Sequence, residues 1–414
     1  MERKQIDDGS EKVEDVLNEL ADVFSYLICL ANECHVDIGD IDGTRPSKPL
    51  QKFSKTDWNE IEVTAFYHVK LDSSSTLLRD FIMMCYSATK SCDIIQWVEV
   101  EGGLANLSVE KQQKIDRYLK DLFCYIVVMA SKYEYDLPRL LHEKNQRVAK
   151  KYANSVGKLS KDDVINERYA HLPDFQLSSE ITTTQFDLDR LIPNPDCSIN
   201  KLLAGLMEAH GLISEMFQWD TDGTKTTFTP VKRAHLSHQL AIILSIVMKL
   251  AQTHEVNLNK SFWNKLRRTG RRYPVEACRG SCVKYTELEK VEDCELTDTI
   301  ANLEITDPVL TISAATSAFS KFVAERDWEQ FHTPRNMTIQ LLGEIGELIE
   351  LFIGKQKPSI RKKKRMSEEE KKSEFLSCLS DELADCVIST VRLGEICKVD
   401  LTAAMMHYFP ASAM

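Results

Sequence analysis

Two apolar segments of this sequence each carry a pair of acids at a spacing of three residues. The segment GEIGELIELF holds Glu344 and Glu347, and the segment DELADCVIS holds Glu382 and Asp385. Residues three apart in a helix share one face, so each pair aims two carboxylates in the same direction. Two such helices packed antiparallel would gather four carboxylates. A lone pair of this kind usually marks a solvated face, but both pairs lie in apolar runs, where unpaired carboxylates are costly to bury. We therefore predict a carboxylate metal site.

The composition predicts a folded, water-soluble protein. The 414 residues, 43% of them hydrophobic, are enough for two to four domains with sizeable cores. The longest apolar stretch, Leu240–Met248, is shorter than the roughly 20 residues that cross a bilayer, and no signal peptide pattern opens the sequence, so no membrane partner is expected. The net charge of -11 disfavours binding of polymeric nucleic acid.

The cysteines and one basic run bear on location. The 12 cysteines are scattered through apolar helical stretches, which is typical of reduced thiols in the cytoplasm. The run RKKKR at 361–365 is either a solvated loop or a nuclear localisation signal. The predicted location is therefore the cytoplasm, with the nucleus as the alternative.

Helical patterns recur along the whole chain. Glycine and proline are scarce, with 15 and 12 residues, and apolar residues recur at helical spacing, so we predict an all-α protein. A long helix closing on a V-D-L-like tripeptide occurs four times, for example as ELADVFSYLICLANECHVDI and as ELADCVISTVRLGEICKVDL. A preceding amphipathic helix occurs three times. These patterns predict a half repeat (1–43) and a second (51–155), third (176–276) and fourth repeat (309–410).

The fourth repeat resembles a known enzyme family. The run FVAERDWEQFHTPRNMTIQLLGEIGELIELF, followed by DELAD, is similar to the dCTP pyrophosphatase branch of the MazG-like all-α nucleoside triphosphate pyrophosphohydrolases. The third repeat resembles the same family through QWDTDG, GRRYP and KYTEL. The resemblance implies packed helices that form homo-oligomers, dependence on Mg2+, and cleavage of a deoxynucleoside triphosphate to the monophosphate and pyrophosphate. On this basis we expect tandem MazG-like helical-bundle units packed as intramolecular pseudo-dimers.

The acid positions differ between the repeats. Clustered carboxylates holding Mg2+ would neutralise a triphosphate and activate the attacking water, with one glutamate also serving as base or water-positioner. Glu344, Glu347, Glu382 and Asp385 are thus the predicted metal and catalytic residues. The equivalent positions hold other side chains elsewhere, namely Ser87, Lys90, Tyr118 and Asp121 in the second repeat, and Ala209, Leu212, Gln239 and Ile242 in the third. The half repeat keeps Glu19 and Asp22 but has no first helix, so the fourth repeat alone is expected to complete the site.

The fourth repeat departs from the family around the nucleotide. A Gln-Trp pair that the family places after the first helix is replaced by Ile353 and Gly354, which removes an aromatic that would stack on a base. An expected tyrosine is Ser389, and the repeat lacks the family's basic segment. Trp328 and His332 remain as predicted substrate contacts, with core packing as the alternative for Trp328.

The third repeat retains the kinds of residue that the fourth lacks. It holds Trp219 and the basic segment NKLRRTGRRYP, which includes Lys265, Arg271 and Arg272. We expect the third repeat to pair with the fourth and to lend an aromatic or cations, with Trp219, Arg271 and Arg272 as substrate-binding residues. The alternative is that the basic segment is a solvated helix end. The half repeat is expected to pack with the second.

Two functions remain open from the sequence. The first is a Mg2+-dependent pyrophosphohydrolase that acts on deoxynucleoside triphosphates in sanitation of the nucleotide pool. The second is a catalytically impaired relative that binds nucleotide or protein as a helical scaffold. The complete acid set favours the first, and the missing aromatic and basic segment favour the second.

Overall fold

Helices form all the regular secondary structure in the part of the chain that the structure describes. A computed structural model describes residues 10–36, 38, 76–95, 107–132, 146, 198–217, 229–281, 308–354 and 367–408. The predicted all-α class is confirmed. The chain divides into a first compact unit, Met1–Ser160, and a second compact unit, Lys161–Met414. The finer division into three and a half repeats stays a prediction.

The first compact unit is built on three long helices: α1 (Ser10–Glu33), α2 (Leu77–Ile95) and α3 (Val109–Lys132). Helix α3 packs against both α1 and α2. The rings of Phe24 in α1 and Phe123 in α3 stack with centroids 5.7 Å apart inside a core of buried aliphatic side chains. Helix α1, from the predicted half repeat, thus contacts α3, from the predicted second repeat, and the pairing of these two repeats stays a prediction.

The second compact unit contains the remaining helices. They are α4 (Ile199–Phe217), α5 (Pro230–Thr253), α6 (Leu258–Arg272), α7 (Val275–Cys278), α8 (Ile312–Glu325), α9 (Pro334–Ile353), α10 (Glu368–Ile396) and α11 (Leu401–Tyr408). Five of these helices begin with a side-chain cap. Each cap accepts a hydrogen bond from an otherwise unpaired backbone N–H. The capping residues are Thr229, Asn257, Thr311, Thr333 and Ser367.

Helices of the third and fourth predicted repeats pack directly against each other in this second compact unit. Helix α9 packs along α10 and also against α4, while α10 contacts α5, α6 and α8. The His210 ring of α4 lies within 2.8 Å of the Thr338 carbonyl of α9 through its Nε2 atom. Whether the two repeats form a pseudo-dimer with matched halves stays a prediction, but the contacts that it needs are present.

Helix α5 is the central helix of the second compact unit. Among the described residues, this helix is long and apolar enough to cross a membrane by length and composition, but 83% of its most apolar window is buried inside the protein. Core helices of folded domains meet the same two criteria, since a helix that is apolar on all sides is normally buried. The burial of Leu240, Ile243, Leu244 and Val247 identifies α5 as such a core helix.

Candidate metal centre

Helices α9 and α10 bring three of the four predicted acids into one cluster. Helix α9 carries Glu344 and Glu347, and α10 carries Glu382. One carboxylate oxygen from each lies within 4.8 Å of the others. The neighbouring positions are fully buried apolar residues, such as Ile345 in α9 and Leu383 in α10, so packing of the two helices fixes the acids at their interface. We call these three residues the carboxylate cluster.

The carboxylate cluster is electrostatically strained in the absence of a cation. Burial, followed by repulsion from Asp385, Glu347 and Glu382, holds the pKa of Glu344 well above its ordinary value. Burial, followed by repulsion from Glu347 and Asp385, raises the pKa of Glu382 to about 8. Like charges at short range disfavour ionisation, so Glu344 and Glu382 retain protons where solvated glutamates would lose them.

One buried oxygen of the cluster points to a cation site. Glu382 Oε2 is buried and has no hydrogen-bond partner among the described residues. Leaving a buried carboxylate oxygen unsatisfied is costly unless a bound ion or water normally pairs with it. An oxygen-only donor set from three carboxylates fits a hard divalent cation such as Mg2+, which takes oxygen ligands. The residues present therefore fit the metal that the sequence predicts.

Asp385, the fourth predicted acid, is engaged differently. It lies outside the carboxylate cluster and forms an ion pair with Lys265 of α6, and both side chains are largely buried, with 16% and 23% of their surface exposed. Burial raises the pKa of Asp385 to about 6, although the Lys265 ammonium opposes that shift. Lys265 is also attracted to Glu382 and Glu344. A cation from the third predicted repeat thus reaches the acids of the fourth predicted repeat.

A polar seam continues this contact between α6 and α10. Arg268 forms an ion pair with Asp381, and the hydroxyls of Ser261 and Ser380 are hydrogen bonded. The same two helices line a cleft of about 530 Å3 that includes the predicted substrate residue Arg271. Further lining side chains include the cationic or polar Lys260, Asn264, Arg267 and Ser377, together with the acidic Glu255 and the apolar Val256 and Leu376.

The other predicted substrate residues have varied surroundings. The guanidinium of Arg272 lies 5.8 Å from the ring centre of Tyr273. Trp328 donates its indole N–H to the carbonyls of Cys278 and Ser281, at 3.0 and 2.8 Å. Its ring lies edge-on to Tyr273, with centroids 5.3 Å apart. These contacts correspond to the packing alternative for Trp328, and its contact with substrate stays a prediction. Trp219 lies outside the described residues.

His332 sits in an aromatic and cationic pocket. Its Nδ1 accepts a hydrogen bond from Arg392 Nε at 3.2 Å, and its ring stacks on Phe319 at 6.1 Å between centroids. Burial, with a smaller contribution from the Arg392 charge, lowers the pKa of His332 to about 4. The imidazole is therefore neutral at physiological pH and accepts at Nδ1. A role in contacting substrate stays a prediction.

Sequence reasoning missed one residue that holds the two predicted repeats together. Arg326 is fully buried, and its guanidinium donates to the carbonyls of Tyr273 and Phe322, at 2.7 and 3.1 Å. The guanidinium also lies 3.8 Å from the ring centre of Phe322, a cation–π contact. The sequence signal was a charged residue two positions before Trp328, which reads equally well as a surface position. Arg326 therefore joins the segment after α6 to the end of α8.

The helical fold and the carboxylate cluster together define a candidate divalent-cation site between two helices. Part of the chain is similar to proteins named dCTP pyrophosphatase 1. It is 43% identical to the Bos taurus protein over 89 residues, which are 21% of this chain and 48% of that protein. It is 38% identical to the Rattus norvegicus and Homo sapiens proteins over 99 residues, which are 24% of this chain and 55% of each relative. The chain thus spans about half the length of the curated relatives it matches. No family model and no solved structure matches it.

Proposed function

We propose that this protein is a Mg2+-dependent nucleoside triphosphate pyrophosphohydrolase that converts a deoxynucleoside triphosphate to the monophosphate and pyrophosphate. The observation that carries the proposal is the carboxylate cluster, three acids with oxygens within 4.8 Å and one buried, unpaired oxygen. The partial similarity to proteins named dCTP pyrophosphatase 1 supports the same reaction class. The all-α fold is also the one that the resemblance implies.

The proposed reaction needs the phosphate charge to be neutralised and a water to be activated. A nucleoside triphosphate carries about four negative charges, which acids alone would repel. Bound Mg2+ would supply positive charge for the phosphate oxygens and would make an attacking water more acidic. Glu344 and Glu347 would hold it through oxygens from α9, and Glu382 faces them from α10.

The chain's own groups account for the proton. The water oxygen attacks the α-phosphorus, the bond from that phosphorus to the α,β-bridging oxygen breaks, and pyrophosphate leaves. The proton of the water passes to the Glu382 carboxylate, which has a second oxygen besides the one that would face the cation. Without a cation, burial and repulsion from Glu347 and Asp385 raise the pKa of Glu382, so its carboxyl group holds a proton more readily than a solvated glutamate does.

A second candidate function is favoured by one observation. At the end of α9, Gly354 adopts a left-handed φ of 69° and no indole stands there to stack on a base. A protein with this deficiency could bind nucleotide or a protein partner without turnover, as a helical scaffold. The two candidates differ in whether any phosphate bond breaks.

One experiment separates the two functions. The purified full chain is incubated with Mg2+ and each of the common deoxynucleoside triphosphates, and pyrophosphate release is measured in water enriched in oxygen-18. We expect release from at least one substrate, with the heavy oxygen in the monophosphate, because the attack is at the α-phosphorus. Binding of nucleotide without release from any substrate would support the scaffold and overturn the enzyme.

A further inference from the structure

A lysine from the third predicted repeat lies among the acids of the fourth. Helix α6 places Lys265 against Asp385 of α10, and the two form a largely buried ion pair. Lys265 is attracted to Glu382 and Glu344 as well as to Asp385. The site thus contains a built-in cation that belongs to neither of the helices carrying the acids.

Two further contacts hold this lysine in place. Ser261 and Arg268 lie on the same face of α6 as Lys265, at helical spacings of four and three residues. Ser261 is hydrogen bonded to Ser380 and Arg268 pairs with Asp381, both on α10. A side chain anchored on either side by contacts to the same partner helix has little freedom to swing away. The position of the ammonium is therefore a feature of the packing of α6 on α10.

The acids divide accordingly into two groups. Glu344, Glu347 and Glu382 lie close enough together to share one ion, whereas Asp385 lies outside that group and pairs with Lys265. A divalent ion bound by Asp385 would have to displace the ammonium or sit beside it, and like charges a few ångströms apart repel strongly in a site shielded from water. The ammonium and a second divalent ion thus exclude each other at Asp385.

We propose that Lys265 takes the place of a second divalent cation, so that this site binds one metal ion through the carboxylate cluster while Asp385 anchors the lysine. This inference rests on the metal site of the proposed function. It makes the third repeat a direct contributor to the site, since the fixed positive charge beside the metal comes from α6. Lys265 is thus a positioning residue, which places a fixed positive charge beside the metal ion.

The count of bound metal ions tests this inference without reference to activity. Mn2+ serves as the probe, and its stoichiometry on the full chain is measured by electron paramagnetic resonance of the free ion. We expect one Mn2+ per wild-type chain and two per chain of Lys265→Met, which removes the ammonium but keeps the stem. Lys265→Arg restores the cation and is expected to return the count to one. Lys260→Met, a change on the same helix at a residue of the cleft, is the matched control with one.

A second variant protects the test from failure of Lys265→Met to fold. Asp385→Asn removes the anchor of the lysine but none of the cluster carboxylates, so it should still bind one Mn2+. A count of one in folded Lys265→Met, two in the wild type, or none in folded Asp385→Asn would overturn the inference. Absence of Mn2+ from the wild type together with absence of pyrophosphate release would instead overturn the proposed function. The two failures are therefore distinguishable.

Discussion

The two compact units carry different side chains at helix positions that the predicted repeats make equivalent. In the first, Ser87 is fully buried on α2, its hydroxyl donates to the Met83 carbonyl at 3.1 Å, and the ring of Tyr86 packs edge-on to Tyr118 of α3. In the second, the corresponding interface of α9 and α10 holds Glu344, Glu347 and Glu382, with a buried oxygen left unpaired among the described residues. The hydroxyl in the first interface has a partner within the protein, whereas the second interface has a buried oxygen that a cation would satisfy.

The helix pairing therefore does not depend on the acids of the carboxylate cluster. Helices α2 and α3 pack against each other with a serine, a lysine and a tyrosine at the positions predicted to match those three acids, while Asp121 matches Asp385. The acids are therefore not needed for packing, and their mutual repulsion works against it. Side chains that destabilise the fold when no ligand is bound are the ones expected to serve function.

The largest expected effect is the loss of activity from the carboxylate cluster. Glu382→Gln keeps the size of the side chain but removes the charge that holds the metal and accepts the proton. Metal-assisted charge stabilisation is worth several kcal/mol, so pyrophosphate release should fall about 100-fold or more. Glu374→Gln, the same change at an exposed position of α10, is the matched control. Wild-type turnover in Glu382→Gln would remove the cluster from the mechanism.

The second prediction concerns an acid placed at a buried position of the first compact unit. Ser87→Glu places a carboxyl group at a position with 0% exposure and breaks the hydrogen bond to Met83. We expect the free energy of unfolding to fall by about 3 kcal/mol, because a larger, ionisable side chain must be fitted into a fully packed position and taken out of water. Urea unfolding measures this. Leu77→Glu, at an exposed position in the first turn of the same helix, should change it by at most about 0.5 kcal/mol. Equal effects of the two changes would show that α2 tolerates acids at its packed face.

A third prediction concerns pH. The pKa of Glu382 is raised from its ordinary 4.5 to about 8 in the folded protein, so unfolding releases a proton between these values. The stability contribution of neutral Glu382 is fully present below pH 4.5 and is lost as the pH rises through about 8. In a chelator, the melting temperature should therefore fall from pH 5.5 to pH 8.5. Glu382→Gln should weaken that fall, and added Mg2+ should stabilise the wild type more at pH 8.5 than at pH 5.5. Identical pH profiles of wild type and Glu382→Gln would contradict the assigned pKa.

The smallest expected effect is at Trp328. Trp328→Phe removes the indole N–H that donates to Cys278 and Ser281 and leaves those carbonyls without that donor. The free energy of unfolding should fall by about 1 kcal/mol, as for loss of an ordinary hydrogen bond. If the contacts of Trp328 are only internal, KM for the nucleotide should not change. A large rise in KM with unchanged stability would assign Trp328 to substrate binding and extend the functional difference between the two units beyond the acids.

Local features of the site were predictable, and contacts distant in sequence were not. The spacing of Glu344 with Glu347 and of Glu382 with Asp385 fixes each pair on one face of a helix, whatever the rest of the chain does. The sequence therefore predicted helices α9 and α10 and the acids between them.

The engagement of Asp385 could not be read from spacing. Its partner Lys265 stands far away in the sequence, on a helix whose other cations look alike, and the pairing depends on how α6 crosses α10. The burial of Arg326 depends in the same way on the carbonyls of Tyr273 and Phe322. Positions of side chains across packed helices are set by tertiary structure, and propensity or periodicity does not encode them. Trp219 and the basic run at 361–365 lie outside the described residues, so the roles predicted for them stay predictions.

The most direct test of the account is the position of a bound metal ion. Crystals of the full chain grown with Mn2+ and a non-hydrolysable deoxynucleoside triphosphate analogue would be measured at the manganese absorption edge. We expect an anomalous peak between α9 and α10, in contact with Glu344, Glu347 and Glu382, and none between α2 and α3. A peak at α2 and α3, or none at the carboxylate cluster while the nucleotide is bound, would contradict it.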